Sequence, residues 1–410
     1  MTAPAFSARA LPASVFSSAA VATVVGFGGT VALVVQAGQA LSAAPVQIVS
    51  MVTALCLGIA LTGMGLSWAL KTPVVLAWST PGAALLAASA VGLGWANAVG
   101  AFVVAAVLMI LTGLLPVLGR LAQRIPPAIA SAMLAGVLLP FVLRLFKAVP
   151  EALTLAVGLL GVFLVIRRLW PAWALPAVLA AAFTIMALTG RVELPAGTGL
   201  FGKLAPVTPT FDWKAAISLG LPLFLVTLAS QNLPGLVVLK AAGYAPPADR
   251  LILATGLASL AAAPFGAHGV NLAAITAALC TGPDAHPDAD RRWVVGVIYG
   301  VFYLAVALFA APLAGLFIAM PSAILAIITG LALVAPLSGA LETMLSDRGE
   351  REAAVLTFAA TGSGLALFGV GSAFWGLIVG FAALMAKRWI RPTARPSVHI
   401  LSDPSGPTRS

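Results

Sequence analysis

Pro264-Phe265-Gly266-Ala267-His268-Gly269-Val270-Asn271 interrupts a hydrophobic segment where a membrane helix would run unbroken. Trp78-Ser79-Thr80-Pro81-Gly82 does the same in the first half of the chain, and a short alanine-rich run follows each break. In lipid an unpaired backbone N–H or C=O is costly, so non-helical backbone at membrane depth must be buried in protein or line a cavity. Interrupted segments at corresponding places in two halves are the best sequence pointer to a transport site. Two glycine-kinked, closely packed helices are the plainer alternative.

The rest of the chain supplies the membrane context. Of 410 residues, 61% are hydrophobic and 8% are charged, and the mean hydropathy is +1.08. A soluble domain carries about a quarter charged residues. Apolar runs of spanning length recur from end to end, which leaves no room for a separate soluble domain. The first run, 14–38, is long enough to span and lacks a strongly basic leader, so no cleavable signal is expected. Cys56 and Cys280 lie in apolar surroundings and read as small buried hydrophobes. No metal-ligand spacing, nucleophile-and-base cluster or cofactor motif is present, which argues against an enzyme and against any cofactor or metal. The net charge of +10 is spread over short loops and a tail, as topology signals are, and not gathered for nucleic acid.

Fourteen segments are predicted. The first seven lie near 14–38, 46–68, 73–90, 94–117, 126–147, 150–168 and 171–190. The second seven lie near 215–239, 248–262, 265–280, 292–317, 321–341, 351–367 and 370–388. Segments three and ten are too short for a full crossing. With the N-terminus inside, 17 of the 22 basic residues fall on the cytoplasmic side. These are Arg9, Lys71, Arg120, Arg124, Arg167, Arg168, Lys240, Arg250, Arg291, Arg292, Arg348, Arg351, Lys387, Arg388, Arg391, Arg395 and Arg409. The positive-inside rule then places both termini in the cytoplasm. Ala43, Pro45, Thr53 and Leu55 recur 202 residues later as Ala245, Pro247, Thr255 and Leu257. The spacing Pro127 to Gly136 equals that from Pro321 to Gly330. Seven spans per half is an odd number, so the halves have opposite topology, an architecture suited to alternating access.

Ser79-Thr80-Pro81-Gly82 reads as a helix start, with Ser or Thr as the cap and Pro in the first turn. Gly266 to Gly269 is expected to begin a second half-helix, with Asn271 in its first turn. Two such N-termini favour an anion, by about 0.3–1 kcal/mol each when exposed and up to ~2 when partly buried. Ser230-Gln231-Asn232, in segment eight, matches Gly28-Gly29-Thr30 of segment one. Gln231 and Asn232 are costly in a span unless bonded, either to a substrate carboxylate or to a neighbouring helix. All twelve acidic residues fall at segment ends or in loops, so a cation site or carboxylate proton relay is not expected. His268 is the one histidine at membrane depth; His286 and His399 lie in a loop and the tail. Imidazole titrates near neutrality, so His268 is the candidate carrier of a coupling proton, against the plainer role of capping local backbone. Trp78, Phe27, Phe265 and Tyr299 are candidates for an aromatic wall. The candidate binding set is therefore Ser79, Thr80, Gly82, Gln231, Asn232, Gly266, His268, Gly269, Asn271, Phe27 and Trp78.

On the two breaks, on Ser230-Gln231-Asn232-Leu233-Pro234-Gly235, and on Pro264 through Ala278, the chain resembles the benzoate:proton symporter family (BenE). The loop Gly282-Pro283-Asp284-Ala285-His286-Pro287-Asp288 leading to Arg291-Arg292 is also similar to that family, and the resemblance covers essentially the whole chain. It implies uptake of benzoate with a proton across a bacterial inner membrane. It implies an all-α polytopic fold of seven plus seven inverted spans, shared with uracil and anion transporters. In that fold a core domain (14–117 and 215–317) moves against a gate domain (126–190 and 321–388), with substrate between segments three and ten. Nucleobase members carry a carboxylate in segment eight, where this chain has Gln231 and Asn232; the departure fits a carboxylate substrate and leaves the proton-coupling residue open. The expected partners are an aromatic carboxylate, a proton and the lipid bilayer, and a homodimer is compatible with this reading. A transporter for another anion, such as another organic acid or sulfate, and an anion channel of the same fold are the alternatives.

Overall fold

The computed structural model describes residues 11–89, 92–115, 126–189 and 199–390. Arg9, Arg120, Arg124, Arg191, Glu193, Arg391, Arg395, His399, Asp403 and Arg409, on which part of the charge argument rests, lie outside the described residues. The protein is mostly helical. Nine helical stretches among the described residues are long and apolar enough to cross a membrane. A helix meets every backbone hydrogen bond within itself, which is why an Ala/Leu-rich chain in lipid is built this way.

The first half begins with α1 (Ala13–Gly28) and α2 (Val31–Ala40), one rod bent at Gly29-Thr30. At the bend Thr30 Oγ1 donates to Gly26 O at 2.8 Å. α3 (Pro45–Leu70) follows, then β1 (Leu76–Trp78), α4 (Thr80–Ser89), α5 (Trp95–Leu114), α6 (Pro127–Ala148), α7 (Leu153–Leu169) and α8 (Ala174–Leu188). The second half opens with α9 (Trp213–Ala241), which contains two π turns, Ala216–Gly220 and Leu228–Asn232. It continues with α10 (Ala248–Ala262), β2 (Val270–Leu272), α11 (Ile275–Thr281), α12 (Trp293–Leu308), α13 (Ala310–Ile318), α14 (Ser322–Ser346), α15 (Arg351–Gly362) and α16 (Ser372–Ile390).

The first break joins a strand to a helix start; the second is turn and strand, with its helix starting further on. β1 and β2 pair antiparallel, with Leu76 opposite Leu272, Ala77 opposite Asn271 and Trp78 opposite Val270. The central pair is separated by 194 residues, the same spacing as Pro127 to Pro321. Equivalent segments meeting antiparallel is what a two-fold axis in the membrane plane produces. The expected half-helix from Gly266 to Gly269, with Asn271 in its first turn, is corrected here: Gly266 to Gly269 are turn and irregular backbone. Asn271 is not in the first turn of a helix: it is the middle of β2, and α11 starts only at Ile275. Buried extended backbone must find partners, and the strand of the other half supplies them.

A serine of the preceding helix holds the lead-in to β1 and the first residue of β2. Ser67 Oγ accepts from Val74 N at 3.1 Å and donates to Val74 O at 3.0 Å. Ser259 Oγ accepts from Val270 N at 2.9 Å and donates to Thr255 O at 2.7 Å, with Val270 O at 3.2 Å.

The helices fall into two packing groups. In one, α3 lies along α12, α5 along α10, and α1 against α11 and α12. In the other, α6 lies along α14 and α15, α15 along α16, and α7 beside α8. Gly136 and Gly330, equivalent in the two halves, both sit at tight crossings of the second group. A Cβ on Gly136 would lie 2.7 Å from Thr361 Cβ, and one on Gly330 would lie 2.6 Å from Leu145 Cβ.

Candidate functional site

At the first break Ser79 is the N-cap of α4. Its Oγ accepts from Gly82 N at 2.9 Å, and its carbonyl accepts from Ala83 N at 2.8 Å. Pro81 has no N–H. Of the first-turn donors, the Thr80 N–H is therefore the one left for a ligand. Gly82 is closely covered: a Cβ there would meet Leu223 Cδ1 of α9 at 2.7 Å.

The second break folds back onto Ser79. Gly266 has φ of 90° and Gly269 of 147°, the region in which glycine is free of the Cβ penalty. These turns bring His268 across to α4, where its Nε2 lies 3.2 Å from Ser79 O. A carbonyl only accepts, so Nε2 carries the proton and donates. His268 is 3% exposed, its ring edge meets Phe102 at a centroid distance of 6.4 Å, and its Nδ1 has no protein partner. Asn271 Nδ2 and Thr276 Oγ1 are buried without partners as well. Buried polar atoms are nearly always paired, so these three are candidates for contact with a ligand; Trp95 Nε1, Thr227 Oγ1, His286 Nε2 and Thr361 Oγ1 are likewise buried without partners.

The aromatic residues gather on α1, β1 and α12. Trp78 is buried, with its ring edge-on to Phe27 at 5.7 Å and to Tyr303 at 6.3 Å. Its indole N–H donates to Thr30 Oγ1 at 2.8 Å. Tyr299 OH donates to Leu76 O of β1 at 3.0 Å, and its ring lies 4.8 Å from that of Tyr303.

The two amides of α9 have different surroundings. Asn232 is fully buried; its Oδ1 accepts from Leu272 N at 2.9 Å and its Nδ2 reaches Met109 Sδ at 3.3 Å. It ties α9 and α5 to β2. Gln231 is half-buried. Gly235, one turn on, lets the strand approach: a Cβ there would lie 2.6 Å from Leu272 Cβ and 2.9 Å from Ala273 O.

The structure thus brings Ser79 to His268, Trp78 to Phe27, Gly82 to α9 and Asn232 to the residue beside Asn271. Tyr303, Thr276, Ser67 and Ser259 were not singled out in the sequence. A lone Ser or Thr in an apolar helix, shortly before or after a break, is the signal that could have found the last three. Among the described residues no Asp, Glu, Lys or Arg is buried. The site is polar without fixed charge, a setting that suits a ligand bringing its own negative charge.

Comparison with known proteins gives one family. The family described as benzoate membrane transport protein matches residues 9–386. Inner membrane protein YdcO of Escherichia coli is 41% identical over 361 residues, covering 88% of this chain and 92% of that protein. The benzoate membrane transport protein of Acinetobacter baylyi is 34% identical over 362 residues, with the same two coverages of 88% and 92%. Among solved structures, the transmembrane domain of a cyanobacterium bicarbonate transporter, BicA, superimposes with a TM-score of 0.61 at 16% identity, covering 90% of this chain and 97% of that one. SLC26A9 superimposes with a TM-score of 0.64 at 12% identity, covering 91% and 65%. These chains share the fold.

Proposed function

The chain belongs to the benzoate membrane transport protein family and is a membrane transporter, and on that premise we propose that it takes up benzoate, or a close aromatic carboxylate, together with a proton. The reading is alternating access by a 14-crossing, inverted-repeat protein of the bacterial inner membrane, with both termini in the cytoplasm. The α1–α5 and α9–α13 group forms the core domain, and the α6–α8 and α14–α16 group forms the gate. The segregated packing of these two groups supports that division.

The observation that carries the reading is His268: buried, held through Nε2 on the capping residue of α4, and with Nδ1 unpartnered. A carboxylate beside the Thr80 N–H and the amide of Asn271 receives donors, and a proton on Nδ1 neutralises it. An unpaired charge is costly in this interior, so anion and proton bind together more readily than either alone. Trp78 and Phe27 supply apolar surface for the ring. Gln231 is left to discriminate substrates, while Asn232 holds the strand. Neutralisation also removes the opposition of an inside-negative potential, about 2.3 kcal/mol per 100 mV for a lone anion.

Labelled benzoate uptake into proteoliposomes, with and without an inward proton gradient, tests this. Gradient-stimulated accumulation blocked by other aromatic acids is the expected result; verified folded protein that accumulates none overturns it. The fold match to a bicarbonate transporter favours a second reading, a small inorganic anion. In that case bicarbonate, and not an aromatic acid, competes or is itself carried.

A further inference from the structure

Gln36 Nε2 donates to Thr329 Oγ1 at 2.9 Å. Gln36 is on α2, in the group that carries the site, and Thr329 is on α14, in the other group. Among the described residues this is the one hydrogen bond, side chain or backbone, that joins the two groups. They also meet through apolar contacts, as where Leu175 and Leu179 of α8 lie against Gly29 and Gly28, and where the Lys214 side chain of α9 lies against Gly369.

Each end of the bond is built into its own group. Thr329 is 1% exposed, and the adjacent Gly330 fixes α14 against Phe141 and Leu145 of α6. Gln36 sits between buried Val35 and Ala37 on α2, which packs on α4 and α3, and α4 begins at the candidate site. A glutamine at membrane depth is costly unless it is bonded, so breaking this pair leaves a polar group in need of a partner.

We propose that Gln36 and Thr329 are positioning residues for the transport cycle: they latch the site-bearing group to the other group in the state seen here and release when the groups move. This rests on the alternating-access reading above. On the proposed orientation both residues lie in the outer halves of their segments, so the latch holds the outer side closed. Removing it shifts the population toward the outward-open state. A single interhelical hydrogen bond changes the ratio of states by about threefold to tenfold. Apparent affinity for external substrate follows the fraction of outward-facing carriers.

The test uses the full-length protein in intact cells. One readout is KM for external benzoate. The other is labelling of a Thr80→Cys reporter by a membrane-impermeant maleimide, for which the buried Cys56 and Cys280 give little background. Thr329→Val, which keeps the side-chain shape, and Gln36→Leu are each expected to lower KM and raise labelling by about threefold to tenfold. The combined variant should go no further than either alone, and Thr329→Ser should behave as wild type. Unchanged KM and labelling in folded Thr329→Val, or additive effects in the combined variant, would overturn the latch. If wild-type protein takes up no aromatic carboxylate, the proposed function fails, while the labelling arm still decides the latch.

Discussion

His268 can be read atom by atom. Ser79 O fixes the proton on Nε2, and Nδ1 keeps a free lone pair in a buried setting. Glutamine in its place could still donate to Ser79 O but could not take up a proton. His268→Gln is therefore expected to retain benzoate exchange across equilibrated vesicles and to lose accumulation driven by a proton gradient. Full gradient-driven uptake by that variant would remove His268 as the carrier. The adjacent amides of α9 separate in the same way. Asn232→Leu strips Leu272 N–H of its acceptor and should cost about 1–3 kcal/mol, the penalty for an unsatisfied buried donor, seen as a lower Tm and less folded protein. Gln231→Leu should leave Tm unchanged and raise KM for benzoate several-fold. In the sequence Gln231 and Asn232 have equal standing, because both are amides in an apolar run; only the position of β2 distinguishes them.

At the scale of elements, the legible part was the helix start. Ser79-Thr80-Pro81-Gly82 is a cap signal with a local cause: the serine oxygen reaches an N–H three residues on. The strands were not legible. Three residues are too few to show a period of two, and the partners that make β1 and β2 strands lie 194 residues apart at their centre. Asn271 was expected in a helix for that reason. The serine contacts follow the same logic, since Ser259 looks like any small residue of α10 until Val270 folds against it. Ser259→Ala leaves Val270 N–H without its acceptor and is expected to destabilise the protein by about 1–3 kcal/mol, read by thermal denaturation. Gly235→Val brings a side chain onto Leu272 and Ala273 O. It should abolish transport by displacing β2, with Gly235→Ala intermediate; equal activity of all three proteins would show that the strand tolerates displacement.

For the molecule as a whole, the coupling of charge is the testable property. A carboxylate moving with one proton carries no net charge. An imposed pH gradient, acid outside, should then drive benzoate accumulation in vesicles, and an imposed potential without a pH gradient should not. Uncoupled anion movement would respond to that potential by about 2.3 kcal/mol per 100 mV, a response easily seen in the accumulation ratio.

The amino-acid sequence by itself determined that this is a polytopic helical membrane protein, where its segments break, and which family it belongs to. Those properties follow from length, apolar composition, capping residues and local motif, all of which act over a few neighbouring positions. The tertiary structure alone decided that the two breaks pair as strands, that Asn232 braces β2, that His268 rests on Ser79, and that Gln36 meets Thr329. Each of these joins positions some 40 to 293 residues apart. Their energies depend on which buried polar atoms find partners once the helices have packed, and no local pattern encodes that outcome.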